Sequence, residues 1–148
     1  MRLQRDLREF IELLNSENVE YAIVGGWAFG FHARPRYTQD LDIVTRATPA
    51  NAARLEIAIE RFGFGSLGLT ADDFLPPGRV IQLGQPPNRI DLLTSLTGIT
   101  DEEIWESLEP GKLDGVRVFF LGREALIKNK KATDRPRDRA DVHELGET

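Results

Sequence analysis

Val24-Gly25-Gly26-Trp27-Ala28, a spacer, and then Arg36-Tyr37-Thr38-Gln39-Asp40-Leu41-Asp42-Ile43-Val44 form the stretch on which the fold turns. Its first half reads as the end of a strand, Val19 to Val24, that runs into a glycine turn and a short helix from Trp27 to Ala33. Its second half predicts a strand from Asp40 to Thr45, after Pro35 disfavours helix at Arg34. Side chains alternate across a strand, so Asp40, Asp42 and Val44 share one face while Leu41 and Ile43 share the other. Two carboxylates pointing the same way repel until a hard cation sits between them, and Mg2+ is commonly held by one or two carboxylates plus substrate phosphates. The same pattern also reads as an acidic strand face turned to water.

On both sides of this stretch the periodicity alternates between helix and strand. Upstream, Leu3, Leu7, Phe10, Ile11 and Leu14 predict an amphipathic helix over 2–15. Downstream, Thr48-Pro49 is a helix start whose buried stripe is Leu55, Ala58, Ile59 and Phe62, ended by Gly63. Residues 64–78 read as loop, with Leu67, Leu69 and Phe74 unplaced. Arg79 to Leu83 and Arg89 to Leu93 predict a hairpin across Gly84-Gln85-Pro86-Pro87-Asn88. A helix from Asp101 to Leu108, a strand from Val116 to Leu121 and helices over Glu124 to Lys131 and Arg137 to Leu145 follow. This order predicts an α/β (α+β) fold, a mixed sheet flanked by helices. The length suits a single domain over 1–148, with a core at about 19–121 and a basic helical segment at 122–148.

Composition removes several chemistries. The 148 residues contain no Cys, which excludes disulfides, thiolate zinc sites and cysteine nucleophiles and suits a reducing compartment. The two histidines, His32 and His143, are too few for a His-rich metal centre and read as structural. Charges at Arg2, Arg5 and Asp6 predict no signal peptide, and the longest uncharged run, thirteen residues from Tyr21 to Ala33, is short of a membrane span. A cytoplasmic protein without a membrane partner is expected. The net charge of -5 argues against coating of nucleic acid, yet residues 122–139 carry seven basic and three acidic side chains, which allows a local anion site.

Further candidates follow from type and spacing. Asp91, enclosed by aliphatics in Arg89-Ile90-Asp91-Leu92-Leu93, would join Asp40 and Asp42 if its strand lies beside theirs, about 4.8 Å away. Gly25 and Gly26, between a strand and a helix, suit close approach of backbone N–H groups to phosphate, or a plain turn. Arg36 and Thr38 fall at same-face spacing before Asp40, fit either to touch phosphate or to order the acids. Lys130 is the basic residue best suited to a phosphate, with a solvated helix face as the alternative. Arg135 and Asp138 read as a pair that fixes the geometry of the basic stretch, and Trp27 as core rather than as a base-stacking platform.

Taken together, apolar-Gly-Gly, thirteen residues, Asp-Leu-Asp and a later Ile-Asp-Leu resemble the signature of the DNA polymerase beta-like nucleotidyltransferase superfamily. The first stretch is most similar to the minimal bacterial nucleotidyltransferases, a group with antitoxin- and toxin-type enzymes, and Leu126 to Asp138 resembles the C-terminal segment of one such group. Glycine is usual there at the position of Asp134. The resemblance implies a nucleotidyltransferase fold and transfer of a nucleoside monophosphate from a nucleoside triphosphate to an acceptor hydroxyl, with release of pyrophosphate. It implies Asp40, Asp42 and Asp91 as catalytic metal ligands, two Mg2+ ions or Mn2+ in their place, and Asp91 as acceptor of the hydroxyl proton. Nucleotide contacts are expected from Gly25, Gly26, Arg36, Thr38 and Lys130. The acceptors implied are a partner protein, an RNA end or a small molecule, with a toxin or antitoxin partner or a homodimer completing the site. A protein-binding module acting by contact and a small antibiotic-modifying nucleotidyltransferase are the alternatives.

Overall fold

A computed structural model of the chain describes residues 4–85 and 88–146. Helix α1 (Arg5–Ser16) buries Leu7, Phe10, Ile11 and Leu14 of the expected stripe, and Leu3 lies outside the described residues. Strand β1 (Tyr21–Val24) follows and is buried along its length. Helix α2 (Gly25–His32) starts at the glycines themselves, two residues earlier than their turn-forming character suggests. Gly25 enters it at φ 63, a left-handed conformation that favours residues without Cβ. Strand β2 (Leu41–Thr45) places Leu41 and Ile43 in the core, and Asp40 lies just before it rather than inside it.

Helix α3 (Pro49–Ile59) is capped by Thr48, whose hydroxyl accepts from the Asn51 N–H, and it loosens over 60–64, where Gly63 stands at φ 102. The loop at 64–78 contains two single helical turns, and from it Phe74 enters the core while Leu67 remains half exposed. Strands β3 (Val80–Leu83) and β4 (Ile90–Leu93) pair antiparallel as expected, and the Pro86-Pro87 part of their connection lies outside the described residues. Helix α4 (Asp101–Glu106) carries a capping box between Thr100 and Glu103.

Strand β5 (Glu109–Leu113) is an addition to the sequence reading. Pro110 and Gly111 weaken strand character, but β5 pairs only with β6 (Val116–Phe120), and an edge strand tolerates proline. Asp114 and Gly115, both at positive φ, make the two-residue turn between them, an Asp-Gly hairpin signal visible in the sequence. Helices α5 (Arg123–Thr133) and α6 (Pro136–Glu144) close the chain.

The six strands form one mixed sheet in the order β3-β4-β2-β1-β6-β5. β1 runs antiparallel to β2 and parallel to β6, and β2 runs parallel to β4. The α+β class with a mixed sheet and flanking helices is thus as expected. Helix α1 packs on α3 and β6, whereas α2 packs on β1 and β2 and meets α5. No helix among the described residues is long and apolar enough to cross a membrane.

Candidate active site

Strand register assembles the acids. Val24 stands opposite Asp42 across the β1–β2 pair, and Asp42 stands opposite Asp91 across the parallel β2–β4 pair. The glycine turn after β1 and the carboxylates on β2 and β4 are therefore neighbours, as their sequence spacing suggests. A cavity of about 660 Å³ opens over them, with Gly25, Gly26, Asp40, Asp42 and Asp91 in its lining. The missing side chains of the two glycines shape it. A Cβ on Gly25 would collide with Oδ2 of Asp42, and one on Gly26 would press on the Thr38 hydroxyl at 3.0 Å. Thr38 in turn donates to the Asp40 carbonyl at 3.3 Å, so it braces the approach to the acids.

The carboxylates are electrostatically strained against one another. Burial, then the nearby Asp91 and Asp40 charges, push the Asp42 carboxyl up to about 6. Among the described residues Arg89 grips the group directly: its Nε donates to Asp91 Oδ1 and its Nη2 to Oδ2, both at 3.0 Å. This arginine lies two residues before Asp91, just ahead of β4, at the same spacing that separates Asp40 from Asp42. Among the described residues no three carboxylates or histidines enclose a metal position by themselves. The donors nevertheless fit a divalent cation completed by substrate oxygens. They are all hard oxygens, and the half-buried Asp42 carboxylate, with no ion-pair partner among the described residues, stands beside an opening that Gly25 keeps clear.

A second wall of the cavity is built from α5 and α6. The C-cap Asp134 between them takes the left-handed conformation at φ 47, which favours glycine, and Arg139 Nε donates to Asp134 at 2.8 Å. Arg135 and Asp138 pair as anticipated, Nε to Oδ2 at 2.7 Å, and the Thr133 hydroxyl donates to the same oxygen. Burial alone would raise Asp138, but these donors hold it well below the usual carboxylate range. Lys130 is only 7% exposed and donates from Nζ to Asp141 Oδ2 at 2.8 Å. Arg36 forks onto the same carboxylate at 2.7 and 3.1 Å, with its guanidinium 4.1 Å above the Phe29 ring. Arg36 and Lys130 thus line the cavity while committed to Asp141, a residue 105 positions from Arg36 that local sequence reading had no means to find. Trp27 is buried in the core. The His32 ring meets the Leu121 carbonyl at 2.7 Å, a structural contact.

Three solved structures share this architecture. A candidate nucleotidyltransferase from Thermotoga maritima (TM1012) superposes with a TM-score of 0.64 over 94% of this chain and 89% of its own, at 14% identity. The chain has the nucleotidyltransferase fold. The lincosamide antibiotic adenylyltransferase LnuA, solved with lincomycin, matches at TM-score 0.56 over 97% and 96% of the two chains, at 13% identity. ANT(2")-Ia in complex with adenylyl-2"-tobramycin matches this fold at TM-score 0.58 over 94% and 84%, at 17% identity. No family model and no curated protein sequence matches the chain. At such identities the likeness lies in the nucleotidyltransferase fold.

Proposed function

We propose that the chain is a metal-dependent nucleotidyltransferase that moves a nucleoside monophosphate from a nucleoside triphosphate to an acceptor hydroxyl. The observation that carries this reading is the register that sets Asp42 beside Asp91, with a glycine turn open next to them. In the reaction the acceptor oxygen bonds to the α-phosphorus as the bond from that phosphorus to the bridging β-phosphate oxygen breaks, releasing pyrophosphate. The hydroxyl proton passes to Asp91 and on to water, and Arg89 holds that carboxylate in place through both of its oxygens. Asp40 and Asp42 hold the cations, with Asp91 completing the set. Mg2+, as two ions, or Mn2+ would supply charge neutralisation on the phosphates and acidify the attacking hydroxyl. Gly25 and Gly26 admit the triphosphate to the N-terminal N–H groups of α2. Thr38 braces Asp40, and Arg36 and Lys130 give the phosphate wall its positive charge.

Within the superfamily, the glycine-aspartate stretch and the Leu126 to Asp138 segment support the minimal bacterial group with antitoxin and toxin members. A second reading, an antibiotic-modifying enzyme, is supported by the fold shared with LnuA and ANT(2")-Ia, and the adenylyl groups named for those proteins make ATP the first donor to try. The test is transfer of label from α-labelled ATP, with Mg2+, to components of a cell extract. Labelling that disappears in Asp40→Ala plus Asp42→Ala is expected; labelling retained in that variant contradicts the reading. Growth of expressing cells on lincosamides and aminoglycosides decides the second reading.

A further inference from the structure

The β5–β6 hairpin, at the far edge of the sheet from β3, carries an unrelieved conflict of charge. Its register sets Pro110 opposite Phe119 and Lys112 opposite Arg117. Residues two apart share a strand face, so these four side chains form the exposed side of the hairpin, while Leu113, Val116 and Val118 are buried on the other. Like charges directly opposite one another across an antiparallel pair are destabilising. Neither Lys112 nor Arg117 has a side-chain hydrogen bond or ion pair among the described residues that would relieve the repulsion. A lysine and a proline on the edge strand β5 discourage pairing with other chains, but that role does not call for an arginine on the inner strand β6.

Phe119, two residues from Arg117, also walls a pocket of about 350 Å³ together with Tyr21, Trp105 and Leu108, and Glu20 and Arg46 stand at its rim. Phe119 is 39% exposed, and its ring meets the buried Tyr21 ring edge-on at 6.1 Å. The walls are fixed in place. Asn15 accepts from the Tyr21 hydroxyl at 2.9 Å and donates to the Arg117 carbonyl at 2.7 Å, which ties α1, β1 and β6 together. Arg46 donates to Glu20 at 3.0 Å and lies 5.8 Å from the centre of the Trp105 ring. The pocket shares no lining residue with the cavity of the three aspartates. Tyr21 stands opposite Thr45 at one end of the β1–β2 pair, and Val24 stands opposite Asp42 at the other.

We propose that this face docks an acidic protein segment, whose aromatic or aliphatic side chain fills the pocket between Phe119 and Trp105 and whose carboxylates neutralise Lys112 and Arg117. Aromatic residues and arginine are enriched at protein interfaces, and here they surround one pocket. An extended segment repeats its side chains on one face about every 6.7 Å, the same interval that separates Phe119 from Arg117 along β6. The chain carries a net charge of -5, so an acidic partner is repelled by the molecule as a whole and is held in one register where the two cations stand. A polynucleotide fits less well, since two cations displace few counterions and the Glu20 carboxylate stands at the rim. The docking face is independent of the transferase reading.

The probe is a fluorescent peptide in which a Trp is flanked by Glu residues on both sides, titrated with the full chain and read by anisotropy. Binding that weakens as salt is added is expected, falling roughly ten-fold or more in Lys112→Glu plus Arg117→Glu and in Phe119→Ala. Lys112→Glu alone separates docking from folding, because it turns the cross-strand repulsion into an ion pair with Arg117. That variant should melt roughly 1–4 °C higher than the native chain and yet bind the peptide less well. A chain that leaves the peptide unbound overturns the proposal. So does equal binding of the peptide with Lys in place of Glu or with Ala in place of Trp, or affinity unmoved in Lys112→Glu plus Arg117→Glu. Tighter binding of an oligoribonucleotide of the same length overturns it in favour of nucleic acid, and a lowered melting temperature for Lys112→Glu overturns it by showing that the lysine serves the fold.

Discussion

At the scale of single residues, Asp42 shows the conflict between stability and chemistry. Its carboxyl stands near 6 through burial and its acidic neighbours, above an ordinary value of about 4. A group raised in this way contributes stability that is fully present below about pH 4 and is lost as pH rises through about 6. Asp42→Asn removes that cost, so without divalent cation the variant should be more stable than the native protein at pH 7, by about 1–3 kcal/mol in urea unfolding. The difference should shrink as pH falls from 6 to 4, and transferase activity should be lost by a hundred-fold or more. Equal stability of the two at pH 7 would refute the electrostatic account of this site. Asp42 and Asp91 were legible because strand alternation needs no tertiary knowledge, and Asp40, just ahead of β2, because it continues the same spacing. Arg89 obeys the same alternation, and its Ala variant should lower activity at least ten-fold, read as kcat, by freeing Asp91 from its bidentate hold.

At the scale of elements, α5, α6 and the segment before β2 are fastened by the carboxylates of Asp138 and Asp141. Asp141 receives Arg36 and Lys130 in a position 5% exposed at the side chain, and its removal leaves the Arg36 guanidinium without its carboxylate and Lys130 with only Asp138 at 3.8 Å. Asp141→Ala is expected to cost about 3–5 kcal/mol in urea unfolding, the range for breaking a buried ion pair. Arg139→Ala, which breaks only the exposed pair with Asp134, should leave the urea unfolding midpoint nearly unchanged. Both Asp138 and Asp141 are depressed despite burial, by Arg135 and Thr133 in one case and Arg36 and Lys130 in the other. Their stabilisation is present above about pH 4 and is lost as acid protonates them, so acid unfolding should begin below about pH 4. In Asp141→Ala that acid-sensitive contribution should be reduced, as followed by circular dichroism. The short-range pairs within α5 and α6 could be read from spacing, but the clasp to Arg36 spans 105 residues and exists only once the sheet has brought its ends together. Strand β5 failed to register for a different reason: Pro110 and Gly111 mask strand character at a sheet edge where their defects are tolerated.

At the scale of the whole molecule, the sheet order β3-β4-β2-β1-β6-β5 turns sequence distance into proximity, placing Asp91 on a neighbouring strand 49 positions after Asp42. Element types followed from periodicity and turn chemistry. The strand order did not, because parallel β1–β6 and β2–β4 pairings are chosen by packing across the chain rather than by local pattern. The central claim is that this order builds a cation-dependent nucleotide site from the glycine turn and the three aspartates. Isothermal titration of the full chain with ATP, in Mg2+ and then in EDTA, beside Asp40→Ala plus Asp42→Ala, tests it most directly. The account predicts binding in Mg2+ that vanishes in EDTA and in the double variant, while binding that persists unchanged in the double variant would contradict it.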